Sequence, residues 1–174
     1  MISRIYEAQI HTAAPREATA AVRPAVPADA QAIHEIVAEH ARQGHLLPRT
    51  FESIRASLSD WLVAEVGGRV VGVCALLPLT PTLAEVRSLA VLSAYRGRDL
   101  GGLLVRGVVE EARRRNMPTV FALTRAVSFF LRLGFTITDK NRFPEKVWKD
   151  CAICPLKHAC DETAVVLELA QEQA

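Results

Sequence analysis

The chain has 174 residues, half of them hydrophobic, with 21 Lys and Arg set against 19 Asp and Glu. That length supports one well-cored domain rather than two. A net charge of +2, with no basic stripe interleaved with aromatics, argues against nucleic acid as the main partner. No apolar run approaches the roughly 20 residues of a membrane span, and the N-terminus lacks the long apolar core of a signal peptide, so a cytoplasmic protein with mostly reduced cysteines is expected.

Residues 1–21 are rich in alanine, show little periodicity and read as a mobile arm, with Ile2, Ile5 and Ile10 available to dock on a partner subunit. A single domain is expected over 22–169, with 170–174 as a tail. It opens on a short strand at Val22–Ala25, and Pro27-Ala28-Asp29 then starts a helix carrying Ile33, Ile36, Val37 and Ala41 and ended by Gly44. His45 to Arg49 is a loop, and Phe51–Leu58 a short second helix. Trp61–Val66 and Arg69–Leu77 read as a hairpin around Gly67-Gly68, a pair suited to a tight turn with positive φ. Cys74, in its second strand, reads as a small buried hydrophobe. Pro78 and Pro81 are expected to break the pattern before a central strand, Ala84–Val91.

The stretch from Glu85 to Gly102, EVRSLAVLSAYRGRDLGG, is the one around which the rest is arranged. An apolar strand gives way at Ser93-Ala94-Tyr95 and passes through Arg96-Gly97-Arg98 into a helix carrying Leu100, Leu103, Leu104, Val108 and Val109. A helix N-terminus has unpaired N–H groups and partial positive charge, which favour a phosphate, and Arg96 and Arg98 add full charge and forked donors. Taken alone, the turn reads more plainly as an ordinary strand-to-helix corner. The helix continues to about Arg115, with Glu110/Arg114 and Glu111/Arg115 in the favourable i,i+4 order on a solvated face. Val120–Leu123 is a buried strand, Val127–Leu133 a short helix ended by Gly134, Phe135–Thr138 a strand and Ala164–Leu169 the last strand. The order is β-α-α-β-β-β-α-β-α-β-β, which predicts an α/β class domain: a mixed sheet of about seven strands with helices on both faces.

The segment Arg96-Gly97-Arg98-Asp99-Leu100-Gly101 resembles the acetyl-CoA-binding motif, Arg/Gln-x-x-Gly-x-Gly/Ala, of the GCN5-related N-acetyltransferase (GNAT) superfamily. The resemblance extends over roughly Val22–Leu169. It implies the GNAT fold, acetyl-CoA as co-substrate held by Arg96, Gly97, Arg98, Asp99, Leu100, Gly101 and Gly102, and backbone contacts from Leu89, Ala90 and Val91 to the thioester. Asp99 stands where the family usually has glycine, and its carboxylate would either clash with the diphosphate or point outward and cap the helix. A homodimer is the assembly the superfamily suggests.

A narrower resemblance is carried by Glu85-Val86-Arg87-Ser88-Leu89-Ala90-Val91, Phe121-Ala122-Leu123-Thr124, Phe129-Phe130 with Gly134-Phe135, and Phe143-Pro144-Glu145-Lys146-Val147-Trp148-Lys149-Asp150-Cys151. These strings are similar to the acetyltransferase portion of N-acetylglutamate synthase, especially its short bacterial forms. The resemblance implies transfer of acetyl to the α-amine of L-glutamate, the first step of arginine biosynthesis. Longer relatives carry an amino-acid-kinase-like domain that binds arginine, for which this chain has no room.

That chemistry needs a base for the amine and donors for the tetrahedral oxyanion. Glu85 is the candidate base. Phe130 occupies the place where many relatives have a tyrosine acid, leaving Ser128 as a donor or the thiolate to depart unassisted. Arg87, two residues from Glu85, shares its strand face and is the first candidate for a substrate carboxylate, with a structural ion pair as the alternative. Arg125 is the second and Lys146 the third, while His45 and Arg49 are lip candidates. The competing readings are acetylation of another small amine or a protein N-terminus, and a non-catalytic acyl-CoA-binding or interaction module, which Asp99 and Phe130 keep open.

Within the irregular segment 139–163, Cys151, Cys154, His158 and Cys160 offer candidate ligands for a structural zinc, although His158-x-Cys160 is a cramped spacing. A disulfide or packed thiols are the alternatives.

Overall fold

Alternating apolar residues build seven strands: β1 (Ala20–Pro24), β2 (Trp61–Val66), β3 (Arg69–Thr80), β4 (Leu83–Val91), β5 (Thr119–Thr124), β6 (Thr136–Thr138) and β7 (Thr163–Glu168). In the computed structural model, which describes residues 19–145, 151–156 and 158–170, they form one sheet in the order β1-β2-β3-β4-β5-β7-β6. Every pair is antiparallel except β4 with β5, which is parallel. Among the described residues, helices α1 (Ala30–Arg42), α2 (Phe51–Ala56), α3 (Leu100–Arg114) and α4 (Val127–Arg132) complete the expected element order. The mobile-arm reading of residues 1–18, with its three isoleucines, and most of the expected tail, 171–174, lie outside the described residues.

The helices divide between the two faces, as the mixed-sheet reading requires. Leu100, Leu104, Val105, Val108 and Ala112 of α3 and Phe130 of α4 pack on Leu62, Ala64, Cys74, Leu76, Ala84, Val86, Val120 and Val165. On the other face, Ile33, Ile36 and Val37 of α1 and Ile54 of α2 cover Trp61, Val63, Val73, Ala75 and Ala90. A third cluster on that side joins Leu83, Phe121, Phe143, Ala164 and Val166. Cys74 is fully buried and its Sγ approaches the Arg87 carbonyl at 3.8 Å. Burial pushes its thiol well above the ordinary range, consistent with an inert packed cysteine.

Three expectations are corrected. Pro78 does not break β3: the strand runs on to Thr80 with Pro78 opposite Ala84, and a register irregularity at Leu79 accommodates a residue without an N–H, leaving Pro81 in the turn. The second helix ends at Ala56, and Leu58 belongs to a 3-10 turn, Leu58–Asp60, that leads directly into β2. The expected Glu111/Arg115 pair forms at 2.6 Å, with Arg115 also reaching Asp60 at 2.6 Å, whereas the expected Glu110/Arg114 pair does not: Arg113 meets Glu110 and Arg114 meets Glu111, each one residue closer. Among the described residues no helix is long and apolar enough to cross a membrane.

A compact ion cluster fixes the entry to α1. Arg23 on β1 donates to Asp29 at 2.7 and 3.0 Å and to Glu65 on β2 at 2.8 Å, while Asp29 also accepts from the Val26 N–H at 2.8 Å. The Arg23 bonds hold the Asp29 carboxyl below the usual range despite its burial. The stabilisation from this depressed group is therefore complete above the unfolded carboxylate value and is lost as pH falls through the lower folded one. Asp29→Asn is expected to cost about 1–3 kcal/mol at neutral pH. Urea unfolding of both proteins checks this, and the gap should narrow as pH is taken below about 4.

Candidate functional site

The site begins where two strands part. β4 pairs with β5 at only three positions, Leu83 with Thr119, Ala84 with Val120 and Glu85 with Phe121, after which β5 continues beside β7 and β4 runs on to Val91 along β3. The β5-facing edge of β4 is thereby opened over its second half, which includes Leu89, Ala90 and Val91. An unpaired strand edge presents N–H and C=O groups to whatever occupies the gap.

A β-bulge accompanies the opening. Val73 lies opposite Ala90 and Ala75 opposite Arg87, so Ser88 and Leu89 together face the single residue Cys74. Ser88 adopts φ 55°, a left-handed conformation unusual for a residue with a side chain. The extra residue resets the alternation: Val86 and then Leu89 and Val91 join the α3 side, while Ala90 joins the α1 side. Glu85, only 3% exposed, lies opposite Leu77 and Phe121, and Phe121 stacks on Phe143 with ring centroids 4.0 Å apart. Arg87, half-buried, lies opposite Ala75 on the same face. The expected pairing of Glu85 and Arg87 on one strand face, on the α1 and α2 side, is thus what the register gives.

Beyond β4, Ser93–Tyr95 forms a 3-10 turn and Arg96 to Asp99 lead into α3. Gly97 at φ 79° turns the chain with open space around its Cα, and the ring of Phe129 on α4 closes to 3.5 Å of the Cβ position at Gly101. The first intrahelical bond runs from the Leu103 N–H to the Asp99 carbonyl at 3.0 Å, so Leu100, Gly101 and Gly102 are the first-turn positions whose N–H groups lack intrahelical acceptors. Asp99 makes no side-chain cap bond, so the expected alternative of a capping carboxylate is not realised. The donor set therefore fits a diphosphate: first-turn N–H groups, a glycine turn, and the exposed Arg96 and Arg98, the latter over the Tyr95 ring at 5.4 Å.

The remaining candidates fall at different distances from this centre. Arg125 donates to Asp161 at 2.7 Å and to the Gly44 carbonyl at 3.5 Å, tying the end of β5 to the loop after α1. The Asp161 carboxylate keeps the Arg125 guanidinium charged beyond its usual range. Ser128 is exposed in the first turn of α4, and Phe130, buried edge-to-face with Phe129 and Phe135, belongs to the core. His45 is exposed, with its ring centroid 6.2 Å from that of His40, and Arg49 is half-buried. Lys146 lies outside the described residues. The four proposed zinc ligands are not gathered: Cys151 and Cys154 are half-buried and outside any disulfide, Cys160 and His158 are exposed, and no group of three His, Cys, Asp or Glu among the described residues could hold a metal ion. Cys160 instead lies 3.4 Å from the Lys140 ammonium.

Three contacts were not brought forward by the sequence. His40, 6% exposed, meets the Ile36 carbonyl through Nδ1 at 3.0 Å and Arg96 through Nε2 at 3.5 Å. Its place at i+7 from Ile33 on the apolar stripe of α1 was the available signal. Phe143, which opens one of the strings of the narrower resemblance, and Asp161 come from the irregular segment before β7, and nothing in the local pattern pointed to their contacts.

Ser88→Val, which places a β-branched side chain at positive φ, is expected to cost about 1–3 kcal/mol in thermal unfolding, whereas Ser88→Gly should stay within about 1 kcal/mol of the parent.

Comparison with known proteins adds the context. Residues 29–135 match the family model described as Acetyltransferase (GNAT) family. An uncharacterised N-acetyltransferase of Chlorobaculum tepidum is 42% identical over 148 residues, 85% of this chain and 96% of that one. An amino-acid acetyltransferase of Mycobacterium tuberculosis is 34% identical over 128 residues, 72% of this chain and 73% of its own length. Among solved structures, a Mycobacterium tuberculosis protein in complex with CoA aligns over 86% of this chain and 99% of its own, with TM-score 0.76 and 28% identity. N-acetylglutamate synthase of Neisseria gonorrhoeae, complexed with coenzyme A and N-acetyl-glutamate, aligns over 89% of this chain with TM-score 0.77 and 25% identity, and the match spans 36% of the synthase.

Proposed function

Because the chain belongs to the GNAT acetyltransferase family, an acetyl-CoA-dependent acyltransferase family, we propose that its acceptor is the α-amine of L-glutamate and its product N-acetyl-L-glutamate. The observation that carries this reading is the position of Glu85 and Arg87, two residues apart on one face of β4, at the point where that strand separates from β5. A base and a cation for a carboxylate thus flank the gap that a thioester would enter. The name of the Mycobacterium tuberculosis relative and the ligands of the Neisseria gonorrhoeae synthase support an amino acid as acceptor. This acceptor would give the chain the first reaction of arginine biosynthesis.

In this reading, acetyl-CoA supplies an activated acetyl group, and the chain's own residues do the rest. Arg96, Arg98 and the N–H groups of Gly97 to Gly102 hold the diphosphate, with the Leu89 to Val91 backbone along the acyl end. Those β4 N–H groups polarise the thioester carbonyl and stabilise its oxyanion. Glu85, directly or through one water, takes the proton of the glutamate ammonium, so that the nitrogen lone pair forms the new C–N bond. As the tetrahedral intermediate collapses, the C–S bond breaks and its electron pair leaves on sulfur. The thiolate is a weak base and departs unassisted or with a proton from Ser128, and the second proton of the attacking nitrogen passes to the leaving sulfur, to solvent or back to Ser128 to give the amide. Arg87 binds one substrate carboxylate bidentately, and Arg125 and Lys146 are the cations assigned to the second.

One contact favours a second acceptor, a small amine without a second carboxylate: Arg125 is already bonded to Asp161 at 2.7 Å. Thiol release measured across glutamate, glutamine, aspartate, alanine and a diamine separates the two. Glutamate should give the highest kcat/KM, and equal turnover of alanine or the diamine would overturn the assignment. Arg87→Leu is expected to raise KM for glutamate about ten- to hundredfold with little change for acetyl-CoA. Glu85→Gln should lower kcat about 10²- to 10³-fold while acetyl-CoA still binds by calorimetry.

A further inference from the structure

A carboxylate at the start of α3 is a liability for a helix end that receives a diphosphate, since it competes for the same N–H donors and carries the same sign of charge. Asp99 holds that position. Its backbone is left-handed, at φ 55°, and its side chain makes no bond to the first turn. The carboxylate instead lies along the flank of the helix, where Oδ2 meets Arg106 Nη2 at 2.5 Å, seven residues further on. It rests on Gly102: a Cβ there would collide with Oδ1 and come within 3.0 Å of Cγ. Two independent features, a guanidinium that draws the carboxylate away and a missing side chain that leaves room for it, converge on one placement.

We propose that Arg106 is a positioning residue for the cofactor: it holds the Asp99 carboxylate against Gly102 and off the diphosphate-binding end of α3. This rests on the reading of residues 96–102 as the diphosphate site. Arg106 touches neither reacting atom nor cofactor, and its effect is transmitted through Asp99. Gly102 is a component of the same device, because a Cβ there would make the carboxylate shift from this placement.

The test is a double-mutant cycle in the affinity for CoA, measured by isothermal titration on the full chain: parent, Arg106→Ala, Asp99→Asn and Arg106→Ala with Asp99→Asn. Arg106→Ala is expected to weaken CoA binding about five- to tenfold at low salt, the size of one like-charge contact at an exposed site, and less at 0.5 M salt. In the Asp99→Asn background the same Arg106 substitution should have no effect. Steady-state kinetics should agree, with KM for acetyl-CoA raised by Arg106→Ala and kcat unchanged. If Arg106→Ala weakens CoA equally in both backgrounds, Arg106 attracts the cofactor directly and the clamp is refuted. If it weakens CoA in neither, the clamp is equally refuted. Failure of the parent itself to bind CoA would instead overturn the diphosphate reading. Arg106→Gln serves as the second variant, and unfolding midpoints near the parent's establish that both report on binding.

Discussion

The structure depends on a strand that stops pairing on one side while continuing on the other. β4 satisfies its backbone through β3 over nearly its whole length, yet β5 accompanies it only as far as Glu85. A closed sheet would consume the β5-facing N–H and C=O groups between Leu89 and Val91. The divergence leaves that edge open toward β5, and the bulge at Ser88 and Leu89 lets the strand turn without losing its partner or its core contacts. The cost is local, one residue held at positive φ. The apolar face recovers its register immediately, since Leu89 and Val91 pack toward α3 as Val86 does.

Most of this architecture was legible because it is written in periodicity. The 3.6-residue spacing of Ile33, Ile36 and Val37, the two apolar runs about Gly67-Gly68, and the strand-turn-helix of Glu85 to Gly102 each match the observed elements to within a few residues. What escaped was decided by side chains that periodicity does not register. Pro78 reads as a breaker, but a sheet admits a proline beside an irregularity in register, and nothing in the local sequence announces Leu79 as that place. The bulge has no sequence mark either, because Ser88 is neither glycine nor asparagine. On α3 the expected Glu111/Arg115 pair formed, but the contact of Arg115 with Asp60, distant in sequence, could not be foreseen from the helix alone.

The candidate site divides along the same line. Glu85 and Arg87 could be placed together because strand alternation is a strict rule over two residues. The cysteines could not be, since whether four ligands converge depends on the path of an irregular loop, and here no three of them gather. Asp99 illustrates the limit most clearly: its two foreseen orientations, into the diphosphate site or onto the helix cap, were both local. The observed one is set by Arg106, seven residues away, and by the absence of a side chain at Gly102.

The end of α1 and the loop after it reach two of the candidate arginines. His40 Nδ1 faces a carbonyl oxygen and so must carry the proton, which leaves Nε2 to accept from Arg96. Four residues on, the Gly44 carbonyl accepts from Arg125. The last turn of α1 and the loop that follows it therefore contact Arg96 and Arg125, the arginines proposed for the diphosphate and for the second carboxylate. Both bonds are 3.5 Å long, at the weak end of the range, whereas Arg125 holds Asp161 at 2.7 Å. The stronger contact keeps Arg125 in place, and the long contact of Arg96 is the one a phosphate would most easily exchange for its own, shorter and charge-assisted, hydrogen bonds.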